Sequence, residues 1–200
     1  FMGIKAATKY QFGTDNLEGK KVLVQGIGHV GEVLVDHLTK SGALVTISDI
    51  NEDRLHEVGA KYGAKIFTGD DLYGSEVDIY APCALGATIN DDTIVKLKAK
   101  IIAGAANNQL ANEVVHGQIL KEKGILYAPD FLINAGGVIN VYSELAHLTK
   151  AQVMEKTENI YNTALEIFDF SSKNNITTHQ AALSIAQKRI DDRKKELQTK

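Results

Sequence analysis

The 200-residue sequence has one cysteine, Cys83, so no disulfide can form within the chain and a disulfide-built secreted scaffold is excluded. It has only two prolines, Pro82 and Pro129, and each closes a short apolar run, where it stops a strand. No apolar run reaches the roughly 18 residues of a membrane span. No signal peptide is visible, which points to the cytoplasm. A large excess of positive or negative charge is also missing. A net charge of −3 gives no reason to expect a polyanionic partner, so neither nucleic acid nor membrane is expected. The histidines, His29, His37, His56, His116, His147 and His179, show no paired metal-ligand spacing, so no metal is expected. Cys83 has no histidine beside it in sequence and does not read as a nucleophile. Asp70-Asp71 and Asp91-Asp92 read as caps and turns rather than as an acid–base pair. There is no internal repeat and no low-complexity segment.

What is present is a stretch around which the chain is organised. Val22 to Val24 read as a buried strand. Gly26, Gly28 and Gly31 then fit G-x-G-x-x-G within Gly26-Ile27-Gly28-His29-Val30-Gly31. Val30, Val33, Leu34, His37 and Leu38 follow at helical spacing. A second apolar run from Ala43 ends at Asp49. A strand, a glycine turn, a helix and an acid at the tip of the next strand are the context a dinucleotide fingerprint requires. Gly26 allows the tight turn. Gly28 lets bare backbone approach a pyrophosphate, and Gly31 lets the helix lie close to the sheet. The helix start offers N–H groups and partial positive charge to the anion. Asp49 can accept from the adenosine ribose hydroxyls and would repel a 2′-phosphate, so the expected cofactor is NAD.

In chain order, an opening helix over 1–12 shows Ile4, Ala7, Thr8 and Phe12 on one face. It begins without an initiator methionine, so the sequence is expected to be a piece of a longer chain. Helices are expected after Asn51 (Leu55, Val58 and Tyr62 inward), over 91–98 (Ile94, Leu97) and over 112–122 (Val115, Ile119, Leu120). Between them, strands are expected over 64–67, 77–81, 100–105 and 125–128. This alternation predicts an α/β fold, a doubly wound parallel sheet ordered 3-2-1-4-5-6 with ligands at the carboxyl ends of its strands. Asn134-Ala135-Gly136-Gly137 reads as a glycine-rich loop. One long helix is expected over 151–171, with Val153, Thr157, Ile160, Ala164, Ile167 and Phe168 on a stripe. A last helix opens on a capping box at Thr177-Thr178-His179-Gln180 and carries Ala182, Ile185, Arg189 and Ile190. Its tail, 188–200, reads as a solvated charged face. The expected organisation is a helix and turn over 1–19, a dinucleotide-binding domain over 20–148, and helices over 149–200 packed on it.

Three loops share the rim where a cofactor would lie: 82–86, 104–109 and 130–137. Their small residues let a flat ring approach the backbone, and their asparagines can orient a carboxamide or a substrate group.

These stretches, with others, resemble the amino-acid dehydrogenases for glutamate, leucine, phenylalanine and valine, and look most like the leucine branch. The resemblance is carried by Gly3-Ile4-Lys5-Ala6-Ala7, Leu17-Glu18-Gly19-Lys20, Val24 to Val30, Asp49-Ile50-Asn51, Asp78 to Gly86, Ala103 to Leu110, Tyr127 to Phe131 and Asn134 to Val141. It implies NAD-linked oxidative deamination of an L-amino acid to a 2-oxo acid and ammonia. It implies that residues 26–31 hold the pyrophosphate and that Asp49, with Ile50, holds the ribose. Ala81, Pro82 and Cys83 would line the cofactor cleft. Asn108 and Asn134 would sit near the nicotinamide and the amino-acid end of the substrate, and Val138 and Val141 would line the side-chain pocket. Gly31 stands where the leucine branch often has alanine, a difference expected to be harmless. Asn107-Asn108 and Tyr142-Ser143 lean toward the phenylalanine or other branches, so phenylalanine or valine remains an alternative substrate.

The family's catalytic lysine and aspartate belong to an N-terminal domain absent from this sequence, so no residue here is expected to be the acid or base. The implied partners are that domain, the small substrate, and further copies in a homo-oligomer. Two other functions remain open: an NAD-binding sensor without chemistry, and a folate- or shikimate-type dehydrogenase on the same fold. The Asn134-to-Val138 stretch speaks against the second.

Overall fold

The computed structural model describes residues 1–198. Six parallel strands form one sheet ordered β3-β2-β1-β4-β5-β6, the doubly wound order expected. They are β1 Lys21–Gln25, β2 Leu44–Ser48, β3 Lys65–Ile66, β4 Ile79–Pro82, β5 Ile101–Ile102 and β6 Leu126–Tyr127. The outer strands are shorter than the apolar runs suggest, because each ladder ends where its chain bends into a strand-tip loop.

Pleating divides the sheet's side chains between two cores. Val22, Val24, Ile79, Ala81, Ile101 and Ala103 face one side. Leu23, Tyr80, Ile102 and Tyr127 face the other. On the second side lie α4 (Asp91–Ile94) and α5 (Glu113–Glu122), through Ile94 and Leu120. On the first lie α1 (Met2–Phe12), α2 (His29–Lys40) and α3 (Glu52–Tyr62), joined there by α9 (Ile160–Asn174) and α10 (Thr178–Gln198). Ile4, Ala7, Ile167, Phe168 and Ile185 therefore share a core with Val24. Burial on both faces explains why these strands read as continuous apolar runs.

Several helices present a different face from the one their periodicity suggested. In α2, Val30 and Val33 are 63% and 55% exposed, while Gly31, Leu34, Val35 and Leu38 are buried. Contact of Gly31 with the glycine turn sets the rotation of this helix. In α5, Val115 is exposed and His116 points inward. His116 Nδ1 accepts from the Asn112 N–H (2.9 Å), so its Nε2 carries the proton and donates to Asp91 (3.0 Å). The helix at Asp91 is a single turn, yet Ile94 and Leu97 are buried as expected.

The expected glycine-rich loop is half helical. A short α6 (Asp130–Ile133) is followed by α7 (Gly136–Leu145), leaving only Asn134 and Ala135 between them. The single helix expected over 151–171 is two, α8 (Lys150–Glu158) and α9, broken at Asn159. Thr149 and Gln152 cap the first reciprocally. No residue of α8 is buried, so the apolar stripe belongs to α9 alone. Thr177 and Gln180 form the expected box at the start of α10. Ala181, Ala182 and Ile185 are buried there, and Ile190 is exposed. Residues 199 and 200 of the charged tail lie outside the described residues. No described helix is long and apolar enough to cross a membrane.

Candidate functional site at the strand tips

The carboxyl ends of β1, β2, β4, β5 and β6 form one rim, and the glycine turn is its centre. Gly26 has φ +94°, which an L side chain rarely adopts, and a Cβ there would lie 2.6 Å from the Ala84 nitrogen. Its N–H donates to the Ser48 carbonyl at 2.7 Å, tying the turn to β2. Gly28 differs: its φ is −62°, and a Cβ there would meet nothing within 4 Å. It stands at the N-cap of α2, which has no side-chain cap. The helix's first N–H groups and partial positive charge therefore open outward.

Gly31 corrects one expectation. A methyl at this position would overlap the Gly26 carbonyl, so alanine is not harmless in this backbone; it would push α2 off the turn. The Ile27 and Ala81 side chains are fully buried and belong to the core, where they support the rim from beneath, so at these two positions the backbone alone can face a ligand. Pro82 is buried as well. His29, Val30 and Ile50 are exposed, Ile50 completely.

Asp49 has a structural task in addition to any ligand. Its Oδ2 accepts from the Ile27 N–H at 2.8 Å and its Oδ1 from the Asn51 N–H at 3.0 Å. The helix cap itself is Asn51, which accepts from the Arg54 N–H. Arg54, the arginine nearest to Asp49 in sequence, is engaged elsewhere. It pairs with Glu32 and with Glu57 (2.7 Å), and its Nε donates to the Ile27 carbonyl at 3.4 Å. Glu32 also accepts from Lys61 (2.8 Å) and from the Tyr62 hydroxyl (3.0 Å).

Lys61, Tyr62 and Arg54 hold the Glu32 carboxyl at a pKa of about 2, against an ordinary 4.5. Above pH 4.5 the carboxyl is ionised in both the folded and the unfolded chain, and the network's contribution to stability is complete. Between 4.5 and about 2 the unfolded chain takes up a proton that the folded chain does not, so stability falls as pH drops through this window. Denaturant unfolding between pH 5 and pH 2.5 checks this. Glu32→Gln should flatten the decline, and an identical decline in the variant would refute the assignment.

The other tips interlock. The Cys83 N–H donates to the Gln25 carbonyl at 2.7 Å, and Cys83 Sγ accepts from the Ala105 N–H at 3.5 Å. Burial raises the thiol's pKa, the opposite of what a nucleophile needs. Gln109 is fully buried, and its Nε2 donates to the carbonyls of Gly104 (2.8 Å) and Ala106 (3.0 Å). Its N–H donates to the buried carboxylate of Asp130 at 3.0 Å. Sequence reasoning passed over Gln109 and Asp130. The available signal was a polar side chain in each of two strand-tip loops.

Asn108 is exposed, with φ +51°, and its carbonyl accepts from the Ala87 N–H at 2.7 Å. Asn134 is half-buried, and its Nδ2 donates to Asn107 at 2.6 Å. Asn107 is thus the direct partner of Asn134. Val138 and Val141 lie three apart on α7 and are 73% and 62% exposed. Among the described residues no group of three or more His, Cys, Asp or Glu could hold a metal. Two concavities lie away from the glycine turn, one of about 780 Å³ between Leu23, Tyr62 and Phe67, and one of about 360 Å³ between Tyr10, Tyr127 and Phe168. The rim is marked by its convergent backbone groups, not by enclosed volume.

Comparison with known proteins agrees with this fold. Residues 50–197 match the family described as Glutamate/Leucine/Phenylalanine/Valine dehydrogenase. Leucine dehydrogenase of Bacillus cereus is 49% identical over 95% of this chain and 52% of its own length. L-tryptophan dehydrogenase of Nostoc punctiforme is 45% identical over 98% of this chain and 55% of its own length. The crystal structure of the Nostoc punctiforme enzyme superimposes with a TM-score of 0.94, at 45% identity, covering 98% of this chain and 58% of that one. The chain therefore spans about half the length of the curated relatives it matches. The sheet order, the glycine turn and this match over most of the sequence place the chain in the Glutamate/Leucine/Phenylalanine/Valine dehydrogenase family.

Proposed function

We propose that this chain is the NAD-binding part of an amino-acid dehydrogenase that interconverts an L-amino acid with its 2-oxo acid and ammonia. The observation that carries the reading is Gly28. Neither its backbone angle nor its surroundings require glycine, yet bare backbone stands in open space at the N-terminus of α2. A pyrophosphate fits there. When bound, NAD would supply the hydride acceptor. In this reading the first N–H groups of α2 hold the pyrophosphate. Asp49 has lone pairs beyond the two already in use, and these accept from the ribose hydroxyls. Asn108 and Asn134 orient the carboxamide and the amino-acid end of the substrate. The acid–base groups are assigned to the part of the relatives that this chain does not span. Assembly into a homo-oligomer belongs to the same reading and is checked by light scattering.

NAD is expected to bind this chain far more tightly than NADP. The Asp49 carboxylate would face the extra phosphate, and the nearest arginine is engaged by two acids. Calorimetric titration with both cofactors is the measurement. Equal affinities would sink the reading, as would an Asp49→Ala variant with an unchanged NAD/NADP ratio.

For the substrate, the leucine or branched-chain reading rests on Val138 and Val141. Residues three apart on a helix share a side, and two valines make a stiff, apolar, medium-sized wall. Such a wall gives a glutamate carboxylate no partner, and burying that carboxylate alone is costly. Size discrimination between leucine and phenylalanine is weaker, about 1–3 kcal/mol. The values of kcat/KM for leucine, valine, phenylalanine and glutamate, measured on the enzyme carrying this chain, test the assignment. Glutamate as the best substrate refutes it. So does a Val138→Ala, Val141→Ala double variant with an unaltered leucine-to-phenylalanine ratio.

A further inference from the structure

The acids around Arg54 are not explained by fold alone. Glu32 lies in the first turn of α2, where its N–H donates to the Gly28 carbonyl at 2.9 Å. A carboxylate in that turn would oppose an incoming phosphate unless it were neutralised. Its side chain is only 16% exposed and is paired with Arg54 and Lys61. Arg54 is consumed by the same arrangement. Nη2 is on Glu32, Nη1 is on Glu57, and Nε reaches the Ile27 carbonyl. The N–H of that same Ile27 is on Asp49. Asp49 and Arg54 thus flank one residue of the glycine turn, at the tip of β2, where the adenosine ribose is proposed to sit. An arginine beside this point is what a 2′-phosphate uses, through a bidentate guanidinium contact. The chain has that arginine, with each of its nitrogens already donating.

We propose that Glu32 and Glu57 are specificity-determining residues that hold Arg54 away from the ribose 2′ position, so that NADP is excluded by a sequestered arginine as well as by Asp49. The inference rests on the NAD-binding reading of the rim. To meet a 2′-phosphate, Arg54 would have to leave two carboxylates, each a charge-assisted partner. Without those carboxylates it would stand free beside the phosphate, tethered only by Ile27. Glu32 and Glu57 also balance Arg54 and Lys61 in charge, which leaves Asp49, together with Glu52 and Asp53 in the first turn of α3, to make the β2 tip acidic.

The test is the NADP-to-NAD affinity ratio, measured by calorimetric titration of the chain with each cofactor. The Glu32→Gln, Glu57→Gln double variant should raise this ratio about tenfold, or about 1.4 kcal/mol. Adding Arg54→Gln should return it to the starting value, because the gain belongs to the arginine. An unchanged ratio in the double variant overturns the proposal. A gain that survives Arg54→Gln also overturns it, since removal of negative charge alone would then account for the effect. Glu57 is exposed, so Glu57→Gln by itself leaves the fold intact and should give a smaller gain in the same direction. No change there, if the double variant fails to fold, likewise overturns the idea. Retained NAD binding with an unmoved ratio defeats this inference alone. Absence of NAD binding by the unsubstituted chain defeats the site reading, and this inference with it.

Discussion

Gly26→Ala is expected to lower stability by about 2–5 kcal/mol and to abolish detectable NAD binding. The estimate combines the roughly 1–2 kcal/mol of a left-handed backbone with the roughly 1–3 kcal/mol of overpacking. Both causes are present, because φ is +94° and a Cβ would lie 2.6–2.8 Å from three atoms of Ala84. Ala84 follows Cys83, whose N–H is tied to the Gln25 carbonyl, so the obstacle is anchored backbone rather than a flexible side-chain end. Gly28→Ala is the informative contrast. Its angle is permitted and its surroundings are open, so stability should stay within about 0.5 kcal/mol. NAD affinity should nonetheless drop at least about tenfold, because the methyl occupies the space the pyrophosphate needs. Denaturant unfolding and calorimetry on the two variants give both readouts. If Gly28→Ala binds NAD as tightly as the parent chain, the glycine turn is a packing device and the proposed site is wrong.

Phe168→Ala is expected to destabilise the chain by about 3–5 kcal/mol, the usual cost of removing a buried phenylalanine. At this chain length that corresponds to a fall in Tm of roughly 10 °C. Phe168 is 1% exposed on α9, within the core that also holds Val24 and Ile79. Its ring lies 5.4 Å from that of Tyr10 on α1. The terminal helices therefore close one face of the sheet, and loosening them should loosen the sheet in a single cooperative transition. The check is thermal unfolding followed by two probes, Tyr fluorescence and far-ultraviolet circular dichroism. A loss under about 1 kcal/mol, or a separate early transition for the helices, would show them to be an appendage.

Much of this was legible because local rules and the tertiary structure agreed. Apolar runs of strand length alternating with helices gave the sheet and its order, since strands buried on both faces leave no polar alternation to misread. The glycines at 26 and 28 and the acid at 49 were legible because they stand in a strand–turn–helix–strand context that is continuous in the sequence. The Thr177–Gln180 box was readable for the same reason: both of its hydrogen bonds are local. Helix faces were less legible. Val30, Val33 and Val115 are apolar at helical spacing and yet exposed, because the rotation of each helix is set by contacts outside the helix itself. Gly31 against the Gly26 carbonyl turns α2, and His116 against Asp91 turns α5.

The doubly wound sheet, the glycine turn after its first strand, and the acid at the end of its second could be read from the sequence, because apolar strand-length runs alternate with helices and the turn chemistry lies beside them in the chain. Only the tertiary structure decided which face of α2 is inward, that Ile27 and Ala81 lie in the core, that Asn134 meets Asn107, and that Arg54 is held by Glu32 and Glu57. The Asn134–Asn107 and Arg54–Glu32 pairs are 27 and 22 residues apart in the chain. No periodicity or local propensity encodes such pairings. They exist because the right-handed crossovers bring successive strand tips to one edge of the sheet, where side chains from separate loops compete for the same few partners.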